Sequence, residues 1–249
     1  MGALTSEADR HIKVSYHSAI YRWASERVTG KTVLDAGCGA AYGTAILAGR
    51  AAHVTGVDKS APAIVAIAGD YRLPNTAYQV MDCQAMTFPD GAFDVVVSNA
   101  LLEYLTDCDA FFDEVARVLK PGGLFICGTK NADLSMKNAD GSPLYPDHNQ
   151  EYNPHGLRAA LAARLDDVHM FGEVMQGRSE AFIMDRRALG IEGLLVRLNV
   201  KHLIPLKWRN TVRRWMTGVE VNAIQPEDFD IVSEAFDKAF YIVGIGTKP

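Results

Sequence analysis

Apolar positions along the 249-residue chain fall into two recurring patterns. Short runs rich in valine, isoleucine and leucine close on a single acid: Thr32-Val33-Leu34-Asp35, His53-Val54-Thr55-Gly56-Val57-Asp58 and Tyr78-Gln79-Val80-Met81-Asp82. Phe93 to Asn99 and Leu124 to Cys127 are further runs of strand length. Apolar runs without polar alternation read as strands buried on both faces, as in parallel sheets. Between them the spacing predicts helices over 43–50, 61–72, 107–119 and 154–164. Pro121-Gly122-Gly123 stops the third, because proline lacks an amide donor and glycine permits the sharp exit. Asn153-Pro154 opens the fourth, with asparagine as N-cap and proline in the first turn. Alternation of strand and helix from Thr32 to about Gly172 predicts βαβ units and an α/β fold. Lys238 to Ile245 reads as one more strand, and the first ten residues read as frayed.

The most informative punctuation is Asp35-Ala36-Gly37-Cys38-Gly39-Ala40-Ala41-Tyr42-Gly43, an acid and a glycine-rich turn between a strand and a helix. Glycine tolerates positive φ and lets a ligand approach the backbone, and open α/β sheets bind ligands at this edge. A Walker loop is excluded, since no Gly-Lys-Ser/Thr follows. A dinucleotide fingerprint fits at Gly37 and Gly39 but fails at Tyr42, and Asp35 would face a dianionic pyrophosphate. S-adenosylmethionine has no phosphate and carries an ammonium and a sulfonium, so a nearby carboxylate suits it.

The string Asp35-x-Gly37-x-Gly39 resembles motif I of the class I S-adenosylmethionine-dependent methyltransferases. Asp58, Asp82 and the Phe93-Asp94 to Leu102-Glu103-Tyr104-Leu105 stretch follow in the order that family shows. Arg117-Val118-Leu119-Lys120-Pro121-Gly122-Gly123 is similar to a further family string. The resemblance runs over roughly residues 16 to 172 and returns at the last strand. It implies a Rossmann-like, seven-stranded, mostly parallel sheet with helices on both faces and an antiparallel final strand. It also implies S-adenosylmethionine as cofactor and S-adenosylhomocysteine as product. Motif I assigns cofactor contacts to Asp35, Ala36, Gly37 and Gly39, with Tyr21 covering the methionine moiety. Asp58 and Lys59 fall to the ribose side, Asp82 and Cys83 to the adenine, and Asn99 and Ala100 to the end of the fourth strand. Asp58 would accept both ribose hydroxyl protons in charge-assisted hydrogen bonds.

Two stretches resemble acceptor-side elements of small-molecule and glycan-pathway members. His17-x-x-x-Tyr21 has Ile20 where relatives often carry arginine. His148-x-x-Glu151-Tyr152-x-Pro154 matches a His-x-x-Glu-Phe/Tyr-x-Pro segment, while Lys130 departs from the usual string before it. A hydroxyl acceptor must lose a proton, and histidine is the natural base near neutral pH. His148 is the first candidate, His17 the second, and Tyr152 would orient the acceptor. The Asn/Asp-Pro-Pro-Tyr/Phe of amino-methylating enzymes is absent, since Ser98-Asn99-Ala100-Leu101 stands there. The expected reaction is methyl transfer to an oxygen of a small molecule or sugar. Nitrogen or carbon methylation, including of quinone-type acceptors, stays open, as does a non-catalytic cofactor-binding role; a dinucleotide oxidoreductase is a distant alternative.

Composition adjusts this picture only at one place. A 48% hydrophobic share suffices for a core, and no run approaches the ~18 apolar residues of a membrane span. Four scattered cysteines show neither metal-ligand nor disulfide spacing, so no metal is expected. A cytoplasmic enzyme is expected, without nucleic acid as partner; a homo-oligomer remains open. Net charge is −5, yet residues 176–217 alone carry +6. The organisation expected is an N-terminal helical segment (1–30), a cofactor-binding core (31–175), a helical cap (176–227) and a final strand (228–249). The basic cap, Arg178 in particular, would favour an anionic small-molecule or glycan acceptor.

Overall fold

The computed structural model describes residues 7–67, 69–135, 137–138, 140–176 and 224–249. The expected cap over 176–227, with Arg178, therefore lies almost wholly outside the described residues. The parallel strands are β1 (Thr32–Ala36), β2 (His53–Asp58), β3 (Thr76–Val80), β4 (Phe93–Asn99) and β5 (Leu119–Lys130). Three strands joined by antiparallel pairings follow, β6 (Asp166–Met175), β7 (Phe229–Ser233) and β8 (Tyr241–Thr247), of which β6 runs in the direction of β1 to β5. They form one sheet in the order β3-β2-β1-β4-β5-β8-β6-β7. The chain leaves β1 towards β2 and β3, then returns at β4 and runs the other way. That reversal between β1 and β4 is the position where sheets of this kind open a ligand crevice.

Among the described residues, five α-helices pack around the sheet: α1 (Glu7–Ser25), α2 (Tyr42–Ala48), α3 (Ala61–Val65), α4 (Cys108–Val118) and α5 (Pro154–Ala162). On one face, Ile20, Tyr21 and Ala24 of α1 and Leu47 and Ala48 of α2 close over Val33, Val54, Val95, Val97 and Ile126. On the other, Phe111, Phe112, Val115 and Val118 of α4 and Leu157 and Leu161 of α5 cover Leu34, Val96, Phe125 and Cys127. Alternate residues of one strand thus enter opposite cores, which explains the continuous apolar runs. At the amino edge, Asp94 accepts from the Thr32 amide (2.8 Å) and pairs with Lys120 (2.8 Å), locking β1, β4 and β5 in register.

Local signals acted largely as read. Asn153 caps α5 through the Gly156 amide (2.7 Å) as expected, and Asp107, expected inside the helix, instead caps α4 through the Ala110 amide (2.9 Å). Three expectations need correction. The helix expected over 61–72 ends at Val65, and a separate 3-10 turn covers Gly69–Tyr71. Ile64 and Val65 are stiff β-branched residues, Gly69 is a poor helix former, and Val65 is 80% exposed, so no core holds a longer helix. The sheet has eight strands rather than seven, because β7 adds an antiparallel edge beside β6. Of the first ten residues, expected to fray, 7–10 belong to α1, and 1–6 lie outside the described residues.

Candidate active site

The carboxyl ends of β1 to β5, the start of β8 and the end of β6 share one edge of the sheet. There the turn after β1 has positive φ at Gly37 (82°) and Gly39 (49°). The amides of Gly37 and Cys38 both donate to the Val57 carbonyl (2.8 and 2.9 Å), which lashes the turn to β2. A Cβ on Gly37 would lie 2.9 Å from the Leu101 side chain, whereas one on Gly39 would meet nothing within 4 Å. The loop is therefore packed beneath and open above. Asp58 ends β2, taking the Gly39 amide on Oδ2 (3.1 Å) and the Ser60 amide on Oδ1 (2.8 Å). Each oxygen keeps a lone pair for further donors. Lys59 beside it is exposed.

Asp35 is completely buried and does not point its carboxylate into open space. Tyr21 donates to Oδ1 (2.9 Å) and Thr44 to Oδ2 (2.6 Å). Burial raises its pKa to about 6, against the lowering effect of those two hydrogen bonds. Tyr21 in turn lies flat against Gly43, where any Cβ would intrude on the ring. The phenol and the acid thus form a bracket beneath the loop rather than a surface over it. Asp82 is exposed and accepts from the Gln84 amide (2.9 Å), and Cys83 and Ala36 are buried in the core. At the end of β4, Asn99 donates to the His17 carbonyl (3.3 Å) while its Oδ1 is buried without a partner. Ala100 holds φ 53°, an uncommon conformation for a residue with a Cβ, and donates to the Gly128 carbonyl (2.9 Å).

The acceptor-side candidates separate. His148 donates from Nδ1 to Glu151 Oε1 (2.7 Å), and the two side chains are only 10% and 2% exposed. Tyr104 meets the imidazole edge-on (5.2 Å between centroids) and Tyr145 at a tilt (5.1 Å). Lys130, at the end of β5, approaches Glu151 at 3.7 Å and lies 3.8 Å over the Tyr145 ring. Burial alone would raise the Glu151 pKa, but His148, the nearby Ser135 hydroxyl and then Lys130 bring it below the ordinary value. The Asn149 amide donates to the Glu103 carbonyl (2.7 Å), and Glu103 Oε1 accepts from the Lys130 amide (2.7 Å). These bonds tie the His148 loop to the ends of β4 and β5. Among the described residues His148 Nε2 makes no hydrogen bond, so that nitrogen can meet a ligand.

His17 is differently placed. Its Nδ1 lies 2.9 Å from the Tyr42 hydroxyl and its Nε2 3.3 Å from that of Tyr241, so both nitrogens are engaged. Tyr152 packs on Phe112 against the main core (6.3 Å between centroids). Residues the sequence reading did not single out complete the edge: Tyr42, Thr44, Tyr145, Glu173 and Tyr241. A lone acid inside the apolar run Met170-Phe171-Gly172-Glu173-Val174-Met175 was the available signal for Glu173.

Buried polar atoms without partners concentrate here. Among the described residues they belong to Ser98, Asn99, Glu103, Thr129, Ser135, Glu151 and Glu173, on the ends of β4, β5 and β6 or the segments that follow. Native proteins rarely leave such atoms unsatisfied, so the cluster marks a place where bound molecules supply the missing bonds. An open glycine turn, an acid ending β2 and orphaned groups at β4 fit an adenosyl cofactor with a charged amino-acid tail. No metal-ligand cluster occurs among the described residues, and no described helix is long and apolar enough to cross a membrane.

Comparison with known proteins agrees with this arrangement. Residues 34–127 match the methyltransferase domain family, spanning β1 to β5. A "Probable S-adenosylmethionine-dependent methyltransferase" of Mycolicibacterium smegmatis is 27% identical over 94% of this chain and 88% of its own length. The "Fatty-acid O-methyltransferase" of the same organism is 36% identical over 51% of this chain and 47% of its own. Other curated relatives are spanned over only 39–56% of their lengths. A solved S-adenosylmethionine-dependent methyltransferase from Thermotoga maritima superposes with a TM-score of 0.62. It covers 96% of this chain and 92% of its own at 13% identity, a likeness of fold.

Proposed function

The chain belongs to the class I S-adenosylmethionine-dependent methyltransferases, and from that premise we propose that it methylates a hydroxyl oxygen of a small-molecule acceptor. The observation that carries this reading is the His148–Glu151 pair, walled by Tyr104 and Tyr145 beside the cofactor edge. A thiolate or an already neutral amine would not need such a pair, whereas a neutral hydroxyl must give up its proton as the bond forms. Relatives named as O-methyltransferases support oxygen as the methylated atom, without distinguishing a hydroxyl from a carboxylate.

S-adenosylmethionine supplies a methyl group already activated on a sulfonium. The chain has the remaining tasks: to align the acceptor, exclude water and take one proton. The Gly37–Gly39 turn would admit the amino-acid end, Asp58 the ribose hydroxyls, and Asp82 with the Cys83 amide the adenine. Asn99 Oδ1 would receive a donor that the fold itself does not provide. His148 Nε2 would accept the acceptor's proton, and Glu151 would hold Nδ1–H and stabilise the resulting imidazolium. Glu151 can do so because Lys130 helps to keep it ionised.

The test is methyl transfer from radiolabelled cofactor to four acceptors in two pairs: hydroquinone and phenol, 3-hydroxydodecanoate and dodecanoate. We expect a methyl ether from at least one hydroxyl, and His148→Ala to slow that step about 10²–10⁴-fold with unchanged affinity for S-adenosylhomocysteine. Glu151→Gln should fall between the two. Methylation of dodecanoate alone, indifferent to His148→Ala, would assign the reaction to carboxylates that need no base. Labelling of an added amine in preference to all four would overturn the oxygen reading.

A further inference from the structure

The sheet edge proposed above as the acceptor side carries a second buried carboxyl that bonds to neither the glycine turn nor the His148–Glu151 pair. Glu173 lies on β6, and the sheet register sets it beside Tyr241 of β8, which is itself beside Lys130 of β5. Cross-strand partners share a face, so Glu173 and Tyr241 both project towards α1. Tyr241 touches His17 through its hydroxyl (3.3 Å) and Tyr16 through its ring (5.1 Å between centroids). Tyr42, at the start of α2, closes the other side of His17 (2.9 Å). The Glu173 side chain thus stands within a box of tyrosines that adjoins the Tyr21–Asp35 bracket.

Glu173 is only 4% exposed, and its Oε1 has no hydrogen-bond partner among the described residues. Nothing cationic faces it there, and burial pushes its pKa well above the ordinary value. A structural carboxyl in a core is normally paired, because an unpaired one costs stability without return. A neutral carboxyl offers one O–H donor and one carbonyl acceptor, which complements a hydroxyl or carbonyl group of a ligand. The ammonium of an amine would instead demand an ionised partner. Resting on the reading of this edge as the acceptor pocket, we propose that Glu173 is a specificity-determining residue. It engages a second, uncharged oxygen function of the acceptor while the first is methylated.

The test uses the full chain with Glu173→Gln and Glu173→Leu, and the four acceptors above. Wild type should prefer hydroquinone to phenol, the pair in which a methylatable hydroxyl remains when the second is removed, by about tenfold or more in kcat/KM. Glu173→Leu should abolish that preference, chiefly through KM, and Glu173→Gln should retain most of it. Because an orphaned group is removed, Glu173→Leu should unfold at a higher temperature than wild type and bind S-adenosylhomocysteine equally well. A lower unfolding temperature makes Glu173 structural and overturns the proposal. So does weaker S-adenosylhomocysteine binding, or a preference that survives Glu173→Leu. If neither pair is methylated by wild type or variants alike, the parent reading of the pocket fails, and this inference fails with it.

Discussion

At the scale of single residues, the bracket beneath the glycine turn shows how burial and hydrogen bonding oppose each other at one carboxyl. Asp35 has lost all contact with solvent, and two hydroxyl donors compensate only in part, leaving its pKa at about 6. A folded-state value above the unfolded one means that the native chain holds this proton longer. The associated stability is fully present below the unfolded value of about 3.8 and is lost as pH rises through about 6. The shift corresponds to on the order of 3 kcal/mol. We expect urea titrations of wild type and Asp35→Asn to converge near pH 4 and diverge by pH 7, with the variant the more stable at pH 7. The Thr44 hydroxyl can rotate to meet the new amide, so parallel pH curves would refute the assignment. Gly43 tests the same bracket from its other side. Gly43→Ala places a methyl against the Tyr21 ring, which would break the Tyr21–Asp35 bond. A loss of about 1–3 kcal/mol is expected from overpacking, read by chemical denaturation.

At the scale of elements, the cap recognised in the sequence at Asn153 does the work expected of it, the cap at Asp107 went unread, and one helix does not reach its expected length. Asn153 matters beyond its own helix, since the loop bearing His148 and Glu151 runs directly into it. Asn153→Ala should cost about 1 kcal/mol, and methyl transfer should fall more steeply with temperature than in wild type. Unchanged thermal unfolding would show that Pro154 alone suffices to start α5. Strand ends were legible because each closes on an acid at the edge where the turns diverge. The roles of those acids were less so. Asp35 and Asp58 have the same sequence context, but one is sealed under Tyr21 and Thr44 while the other joins two loops. Those partners come from α1, α2 and the turn after β2. The same holds for Glu173, whose surroundings are assembled from α1, α2, β6 and β8. Local pattern reports on neighbours in the chain, and these sites are built from distant segments. β7 escaped notice for a related reason: an edge strand of five residues has one neighbour and no continuous apolar run.

At the scale of the whole molecule, the cofactor edge and the acceptor edge are built from different parts of one sheet. Binding in the crevice between β1 and β4 should stabilise the entire domain by linkage. S-adenosylhomocysteine at one hundred times its Kd should add ~2.7 kcal/mol. For a chain of this size that raises the unfolding temperature by roughly 5–11 °C, from ~2–4 °C per kcal/mol. NADH at the same concentration should leave it unmoved. Asp58→Ala should weaken cofactor binding by roughly 1.5–3 kcal/mol in calorimetry, the scale of hydrogen bonds to a charged group. The placement of β8 has a consequence of another kind. It follows β6 and β7 in the chain yet lies between β5 and β6, so the latter pair can join the sheet only after β8 has threaded into the gap. The strands that carry the glycine turn pair among themselves by β5, while the row Lys130–Tyr241–Glu173 waits for the most distant strand pairing in the fold. The acceptor side of the edge is thus the last part of the sheet to close as the chain emerges.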